Sequence, residues 1–361
     1  MTIDESPEER ACGAQFRNAP MGDRELEALR RHGFGVAYRM LGSVSEAEDV
    51  AQEALLRLTR QEGRPIDEPA AWMTTVVTRL SINVLTSARA RREAYVGPWL
   101  PDPLVEDPGP GPASRAELAD SLSLALLVLL ERLTPVERAA YLLREVFGYE
   151  YAEIAEIVQQ TEVNSRQLVT RARKRLEAGR PRFDADEAAR DVLLERFLAA
   201  AEEGDLGALE ELLAQDAVLY ADSGGKAMAP REPLVGAALI ARFMAAVAQV
   251  RPPSGAFESR RVRVNGQPGR VVRGPAERPF GEAERLAAEQ ALALMKSGDG
   301  DAKQLAALVK GAREAAGGRT TGAVSQEQAE VRVWSVLTVD VVEGRIQTVR
   351  IVRNPDKLGH L

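Results

Sequence analysis

The stretch Val163–Leu176, VNSRQLVTRARKRL, carries amide, hydroxyl and basic side chains at helical spacing. Asn, Gln and Arg in such a pattern read base edges in a DNA major groove, and flanking Arg and Lys neutralise phosphate. The spacing predicts that Asn164, Ser165, Arg166, Gln167, Thr170, Arg171, Arg173, Lys174 and Arg175 face outward, over an inner face of Val163, Leu168, Ala172 and Leu176. Residues 161–182 hold seven basic and two acidic residues, although the whole chain has a net charge of −7. A positive element in an acidic protein gives local attraction for a polyanion without a uniformly basic coat. A second basic run closes an earlier segment, where residues 79–92 hold four arginines and no acid.

Metal and hydrolytic chemistry are hard to assemble from the remaining residues. There is one cysteine, Cys12, and two histidines, His32 and His360. This excludes an internal disulfide and leaves too few imidazoles for a histidine-rich metal site or a Ser-His-Asp triad. No cofactor is expected. Proton transfer beside a carbon acid would need a positioned carboxylate or imidazole. Asp216, Asp222 and Asp340 are available, but each suits a turn or a strand end, and Asp222, just ahead of a glycine pair, reads as a turn former. His360 stands at the extreme C-terminus, where fraying is the default.

The elements that must position these residues fall into distinct textures. A chain of 361 residues predicts two or three domains, and 45% hydrophobic with 28% charged residues excludes a disordered polyelectrolyte. No run of 18 apolar residues predicts a membrane span, and Met1–Arg10 lacks an apolar signal core. Leu26, Leu29, Phe34, Ala37, Tyr38 and Leu41 recur at helical spacing before Gly42-Ser43. Ser45 with Glu48 reads as a capping box for a helix whose Val50, Ala54, Leu55 and Leu58 oppose Glu46, Glu48, Asp49 and Glu53. A third helix opens near Pro69 and carries Trp72, Val76, Leu80 and Leu85. Six prolines between residues 97 and 114 predict an extended linker. Trp99 and Leu100 are too apolar to leave in water, so that end of the linker is expected to dock. Leu118–Leu133 is strongly apolar, and Thr134-Pro135 with Glu137 caps the next helix. Tyr151–Val158, a turn and Val163–Leu176 then form a helix–turn–helix. The second half opens with helices at 186–204 and 205–213 and a strand at Val218–Ala221, followed by a helix at Pro233–Val250. Its later strands flank Asn265-Gly266 and Glu343-Gly344, turn pairs suited to hairpins.

Residues 24–178 resemble the two conserved domains of extracytoplasmic function sigma factors of bacterial RNA polymerase. The likeness rests on SEAEDVAQEALLRL at 45–58, EPAAWMTTVVTRLSINVL at 68–85, LTPVERAAYLLREVFGYEYAEIAEIV at 133–158 and the basic helix above. It implies that Glu48, Asp49 and Gln52 meet core RNA polymerase. Trp72, Arg79, Asn83, Arg89, Arg91 and Arg92 would serve the −10 promoter strand. Asn164, Ser165, Arg166, Gln167, Thr170, Arg171, Lys174 and Arg175 would serve the −35 duplex. Relatives usually carry an Asp and extra arginines where this chain reads Asn-Val-Leu-Thr at 83–86, so promoter preference is expected to differ.

The second half resembles SnoaL-like domains of the NTF2-like superfamily. WLPDP at 99–103, DSGGK at 222–226 and NPDKL at 354–358 are similar to signature segments of the sigma-factor group with such a domain fused behind it, group 41. The implied fold is multidomain: two all-α sigma domains, the second with a helix–turn–helix, followed by an α+β cone. The implied boundaries are a tail at 1–22, region 2 at 23–96, a linker at 97–115, region 4 at 116–180 and the cone at 184–361, with an insertion at 275–328. The expected partners are core polymerase and promoter DNA, with a small ligand in the cone left open, no membrane, a monomeric free state and a cytoplasmic location. A SnoaL-like ligand-sensing module, or a cyclase or isomerase, fused to a DNA-binding module is the competing reading. No catalytic residue is assigned. The three odd motifs are expected to meet: Trp99, Leu100, Pro101, Asp102 and Pro103 on the cone near Asp222 and Lys226, with Asn354, Pro355, Asp356, Lys357 and Leu358 close by.

Overall fold

In the computed structural model the described residues are 21–60, 66–93, 95–106, 123–177, 187–250, 257–275, 282–297, 307–308, 311 and 331–361. The chain divides into two compact units, Met1–Ala88 with Leu133–Lys174, and Arg89–Arg132 with Arg175–Leu361.

The first unit is helical. Helix α1, Asp23–Leu41, ends where Gly42 takes the left-handed conformation and returns its N–H to the Tyr38 carbonyl. Helix α2, Val44–Thr59, buries Ala47, Val50, Ala51, Ala54 and Leu58 along one stripe. Its N-cap is Ser43, not Ser45 as the sequence pattern suggests. Val44 is buried and is pulled into the first turn, which leaves Ser45 inside the helix and exposed. Helix α3, Pro69–Glu93, starts on a proline, where the missing N–H costs nothing. It buries Met73, Val77 and Leu85.

The chain then forms a short strand β1, Val105–Glu106, and helix α4, Leu124–Leu130, both within the second unit. It returns to the first unit as helix α5, Pro135–Glu145, whose start is a complete capping box between Thr134 and Glu137. Helices α6, Tyr151–Val158, and α7, Glu162–Glu177, follow. Gln159 makes the break between them in the left-handed conformation. The face of α7 differs from the expected one at two residues. Ser165 is fully buried and Val163 is 68% exposed. The buried stripe is Ser165, Leu168, Val169, Ala172 and Leu176, and Val163 lies two residues outside it, about 200° round the helix.

The second unit joins helices to an open sheet. Helices α8, Glu187–Glu203, and α9, Leu206–Leu212, lead into strand β2, Leu213–Asp222, then β3, Leu234–Val235, and helix α10, Ala237–Val250. Strands β4, Glu258–Val264, and β5, Gln267–Pro275, form a hairpin turned by Asn265 and Gly266, both at positive φ. Helix α11, Glu282–Ser297, precedes strands β6, Val331–Val342, and β7, Arg345–Val352, and a last turn of helix, α12, Pro355–Leu358. The strand order is β1-β4-β5-β6-β7-β2-β3. Among the described strands only the β2–β7 pair is parallel.

Side-chain alternation gives this sheet two apolar faces. Leu219, Leu337, Val339, Val349 and Ile351 pack with Leu194, Phe197, Leu209, Ile240 and Met244 of the helices. Val264, Val271, Val336 and Val352 pack with Leu100, Leu124 and Leu358. Helix α4 therefore contributes Leu124 to the sheet's core. Within the expected insertion, Ala291 and Met295 of α11 join the helix-side core. Ion pairs Arg231–Glu289 at 3.0 Å and Lys296–Glu232 at 3.2 Å flank it. The helix expected at 302–316 falls almost wholly outside the described residues.

Candidate nucleic-acid interface and buried linker clasp

Helix α7 presents Arg166, Gln167, Thr170, Arg171, Lys174 and Arg175 to solvent, with Asn164 half-buried. Several of these are already oriented. Arg166 lies 2.8 Å from Glu162 and over the Tyr151 ring at 5.0 Å. Asn164 donates to Gln160 at 2.7 Å, and the Thr170 hydroxyl donates to the Arg166 carbonyl at 2.8 Å. Arg171 stands 3.7 Å from Glu137, and Arg173 meets Glu145 at 2.5 Å. Ser165, expected outside, packs inward.

On α2, Glu48, Asp49 and Gln52 are exposed along one side of the helix. On α3 the expected residues separate. Trp72 is half-buried and Asn83 is exposed. Arg79 donates through Nε to the Ile157 carbonyl at 3.1 Å and through Nη2 to the Glu156 carbonyl at 2.9 Å. Its guanidinium therefore caps the C-terminal end of α6, where unpaired carbonyls favour a cation. Arg138 likewise reaches the Arg39 carbonyl at 3.2 Å, tying α5 to α1. The side chains of Arg89, Arg91 and Arg92 lie outside the described residues.

The three odd motifs meet within the second unit around Asp222. Its carboxylate is fully buried. Oδ1 accepts from the Tyr95 hydroxyl at 2.5 Å, and Oδ2 accepts from the Leu100 N–H at 2.7 Å and from Lys357 Nζ at 2.9 Å. The sequence places Asp222 in a turn near which the linker motif docks, but does not single out its carboxylate as the shared acceptor. Lys357 is itself buried, and a buried ammonium needs opposite charge and acceptors. It donates also to the Leu100 carbonyl, stands 4.0 Å from Asp102, and lies over the rings of Trp99 at 4.1 Å and Tyr95 at 5.3 Å. Burial, then the bond to Asp222, pushes the Tyr95 hydroxyl far above its ordinary range, so it remains a proton donor. Asn354 donates to the Tyr95 oxygen at 2.8 Å and caps α12 through Asp356 N–H at 3.1 Å.

Backbone shape makes this approach feasible. Gly224 is at φ 56°, and a Cβ there would stand 2.5 Å from Asn354 Nδ2 and 3.0 Å from the Tyr95 oxygen. Pro101, Asp102, Pro103 and Leu104 are buried behind Leu100. Leu104 and Asn265 exchange hydrogen bonds of 3.1 and 2.8 Å, and β1 pairs with β4, so the linker adds an edge strand to the sheet. Leu358 packs with Leu100. Pro355 is exposed, and Lys226 pairs with Asp356 at the surface, where both are more than half exposed and the pair is worth little. His360 is not frayed: its Nε2 stands 3.0 Å from the Pro103 carbonyl.

The sequence reading missed Tyr95, Asn265 and His360 as parts of this clasp. Asn265 was legible as a turn residue, but its side-chain bond to Leu104 spans 161 positions. For Tyr95 the only signal was an aromatic residue beside the linker motif.

The chain thus joins a basic helix–turn–helix in a helical unit with an α+β unit that holds the Trp99–Leu104 segment. Residues 26–91 match the family model for Sigma-70 region 2, and residues 123–176 match that for Sigma-70, region 4. The chain is 38% identical over 252 residues to the extracytoplasmic function (ECF) RNA polymerase sigma factor SigJ of Mycobacterium tuberculosis, covering 69% of this chain and 80% of that one. It is 36% identical over 188 residues to the probable ECF sigma factor SigI of the same species, covering 52% and 64% respectively. The crystal structure of M. tuberculosis SigJ superposes with a TM-score of 0.64 at 29% identity, over 94% of this chain and 98% of that one. The chain belongs to the ECF sigma factors. These relatives are sigma factors rather than enzymes. Among the described residues no cluster of His, Cys, Asp and Glu is placed to hold a metal ion, and no helix is long and apolar enough to cross a membrane.

Proposed function

We propose that this protein is a transcription initiation factor that binds core RNA polymerase, recognises −10 and −35 promoter elements and is restrained by its own C-terminal domain. The observation that carries the reading is the ordered pair of sigma-region matches over α1–α3 and α4–α7, with an exposed acidic side on α2 and an exposed basic side on α7. Region 2 occupies 23–96, the linker 97–115, region 4 116–180 and the regulatory domain 184–361. Glu48, Asp49 and Gln52 form the polymerase contact. Trp72, Arg79, Asn83, Arg89, Arg91 and Arg92 serve the −10 strand, with Arg79 leaving its carbonyl partners to do so. Asn164, Arg166, Gln167, Thr170, Arg171, Lys174 and Arg175 serve the −35 duplex, and Ser165 supports that helix from inside.

The C-terminal domain is a SnoaL-like member of the NTF2-like superfamily. Helices that precede an open, mostly antiparallel sheet support that assignment. The clasp around Asp222 sets the position of the linker and so the reach between the promoter-binding regions. The protein works in the cytoplasm and is monomeric when free.

Reconstituted transcription with core polymerase and mapped start sites tests the reading. Glu48→Lys or Asp49→Lys should weaken core binding at least tenfold without unfolding the chain, a cost of about 1.4 kcal/mol or more. Gln167→Ala should change −35 preference, whereas Lys174→Ala should weaken all duplexes alike. Unchanged core affinity after both charge reversals would remove α2 from the polymerase interface.

A further inference from the structure

Val163 lies outside the buried stripe of α7 and is the most exposed of the large apolar side chains in the described residues. It shares the outward line of the helix with Arg166, Gln167, Thr170 and Lys174, at intervals of three, four, seven and eleven residues. A single exposed aliphatic residue ordinarily calls for no explanation. This one stands on the face that carries the polar and basic readers, in the helix turn nearest the helix–turn–helix break. Its neighbours sharpen the chemistry. Arg166 is held by Glu162 and Tyr151. The Thr170 hydroxyl is spent on the Arg166 carbonyl, which leaves its methyl group as the free part of that side chain. The line therefore offers an amide, Gln167, between two methyl-bearing side chains.

In a DNA major groove an amide matches the adenine edge, and a methyl-bearing surface matches the thymine C5-methyl. The exposed basic residues farther along the helix supply the charge complementarity that brings this face to a duplex. We infer that Val163 is a specificity-determining residue that packs on the C5-methyl of a thymine in the −35 element, beside an adenine read by Gln167. The inference rests on the −35 role given to α7 under the proposed function.

Deoxyuridine is the direct probe, because it keeps every hydrogen-bonding group of thymidine and lacks only the methyl. Holoenzyme made with the full chain is assayed for binding and initiation on promoter duplexes in which each −35 thymidine is replaced singly by deoxyuridine. The wild type should lose about fourfold at one position, the fold-change of burying one methyl group. Val163→Ala should bind thymidine and deoxyuridine alike at that position, while keeping discrimination elsewhere. Val163→Thr, which retains one methyl and the β-branch, should keep part of the preference and guards against a folding defect in the alanine variant. Equal affinity of the wild type for thymidine and deoxyuridine at every −35 position, on a promoter where −35 transversions abolish initiation, overturns the inference and leaves the −35 reading standing. The inference also falls if Val163→Ala keeps the wild-type discrimination. Indifference of the holoenzyme to −35 transversions overturns both the inference and the reading beneath it.

Discussion

Asp222 accepts hydrogen bonds from a tyrosine 127 positions before it, a backbone amide 122 positions before it and a lysine 135 positions after it. One carboxylate thus joins the linker, the end of β2 and the C-terminal turn. Removing the ammonium leaves a buried carboxylate with two neutral donors, and breaking a buried pair on one side costs about 3–5 kcal/mol. Lys357→Met should therefore release the linker and shift Trp99 emission to the red, read in a chain where Trp72 and Trp334 are replaced by Phe. Asp222→Asn combined with Lys357→Met should recover part of that loss, because neither charge is then stranded. Additive losses in the double variant would show that the pair does not act as a unit. Gly224→Ala should give the same red shift by another route, since a side chain there meets both a left-handed backbone and the Asn354 amide. The sequence made the identity of these motifs legible but not their bonding. The glycine-turn signal at Asp222 says nothing of which donors its carboxylate accepts, and an isolated tyrosine at 95 carries no pairing information.

Elements were legible where local chemistry decides them. The Thr134–Glu137 capping box and the Asn265-Gly266 and Glu343-Gly344 turns form where their residue types require. They were misread where burial decides. Val44 moves the start of α2 ahead of Ser45, and the apolar run at α4 says that the helix is buried without saying against what. Val163 was assigned inward because apolar residues usually are, whereas helical phase places it outside. One pairing of elements gives a pH test. His32 of α1 stands 2.8 Å from Thr74 of α3, and burial, followed by the nearby Arg39 charge, lowers its pKa. The fold thus favours neutral imidazole. Stability from this site is present above the unfolded value of about 6.5 and is lost as pH falls through the lowered folded value. Urea unfolding of the wild type should weaken between about pH 7.5 and pH 5 more than that of His32→Gln, which can still donate to Thr74 without titrating. Parallel pH profiles for the two proteins would refute the assignment.

At the scale of the whole molecule, the C-terminal residues are part of the linker's binding site rather than a tail. Asn354, Lys357 and Leu358 are buried, and His360 reaches the Pro103 carbonyl. Deleting residues 354–361 removes the ammonium beside Asp222, the amide on Tyr95 and the leucine against Leu100 in one step. The sheet loses no strand, and its helix-side core contains none of the deleted residues. Deleting the whole second half is a different change, because it also takes away the edge on which β1 pairs and the apolar face that receives Leu100 and Leu124. If the clasp restrains the linker and the domain also supports it, the two truncations act in opposite directions. The short deletion should raise initiation with core polymerase by severalfold and make the Leu100 and Leu104 amides exchange faster with solvent. Deletion of 184–361 should lower initiation below that of the full chain. The paired comparison separates a regulatory clasp from plain packing, since packing alone predicts faster exchange in the short deletion with no gain in transcription. A fall in output for both truncations, at equal core affinity, would leave the domain a support for the linker and not a restraint upon it.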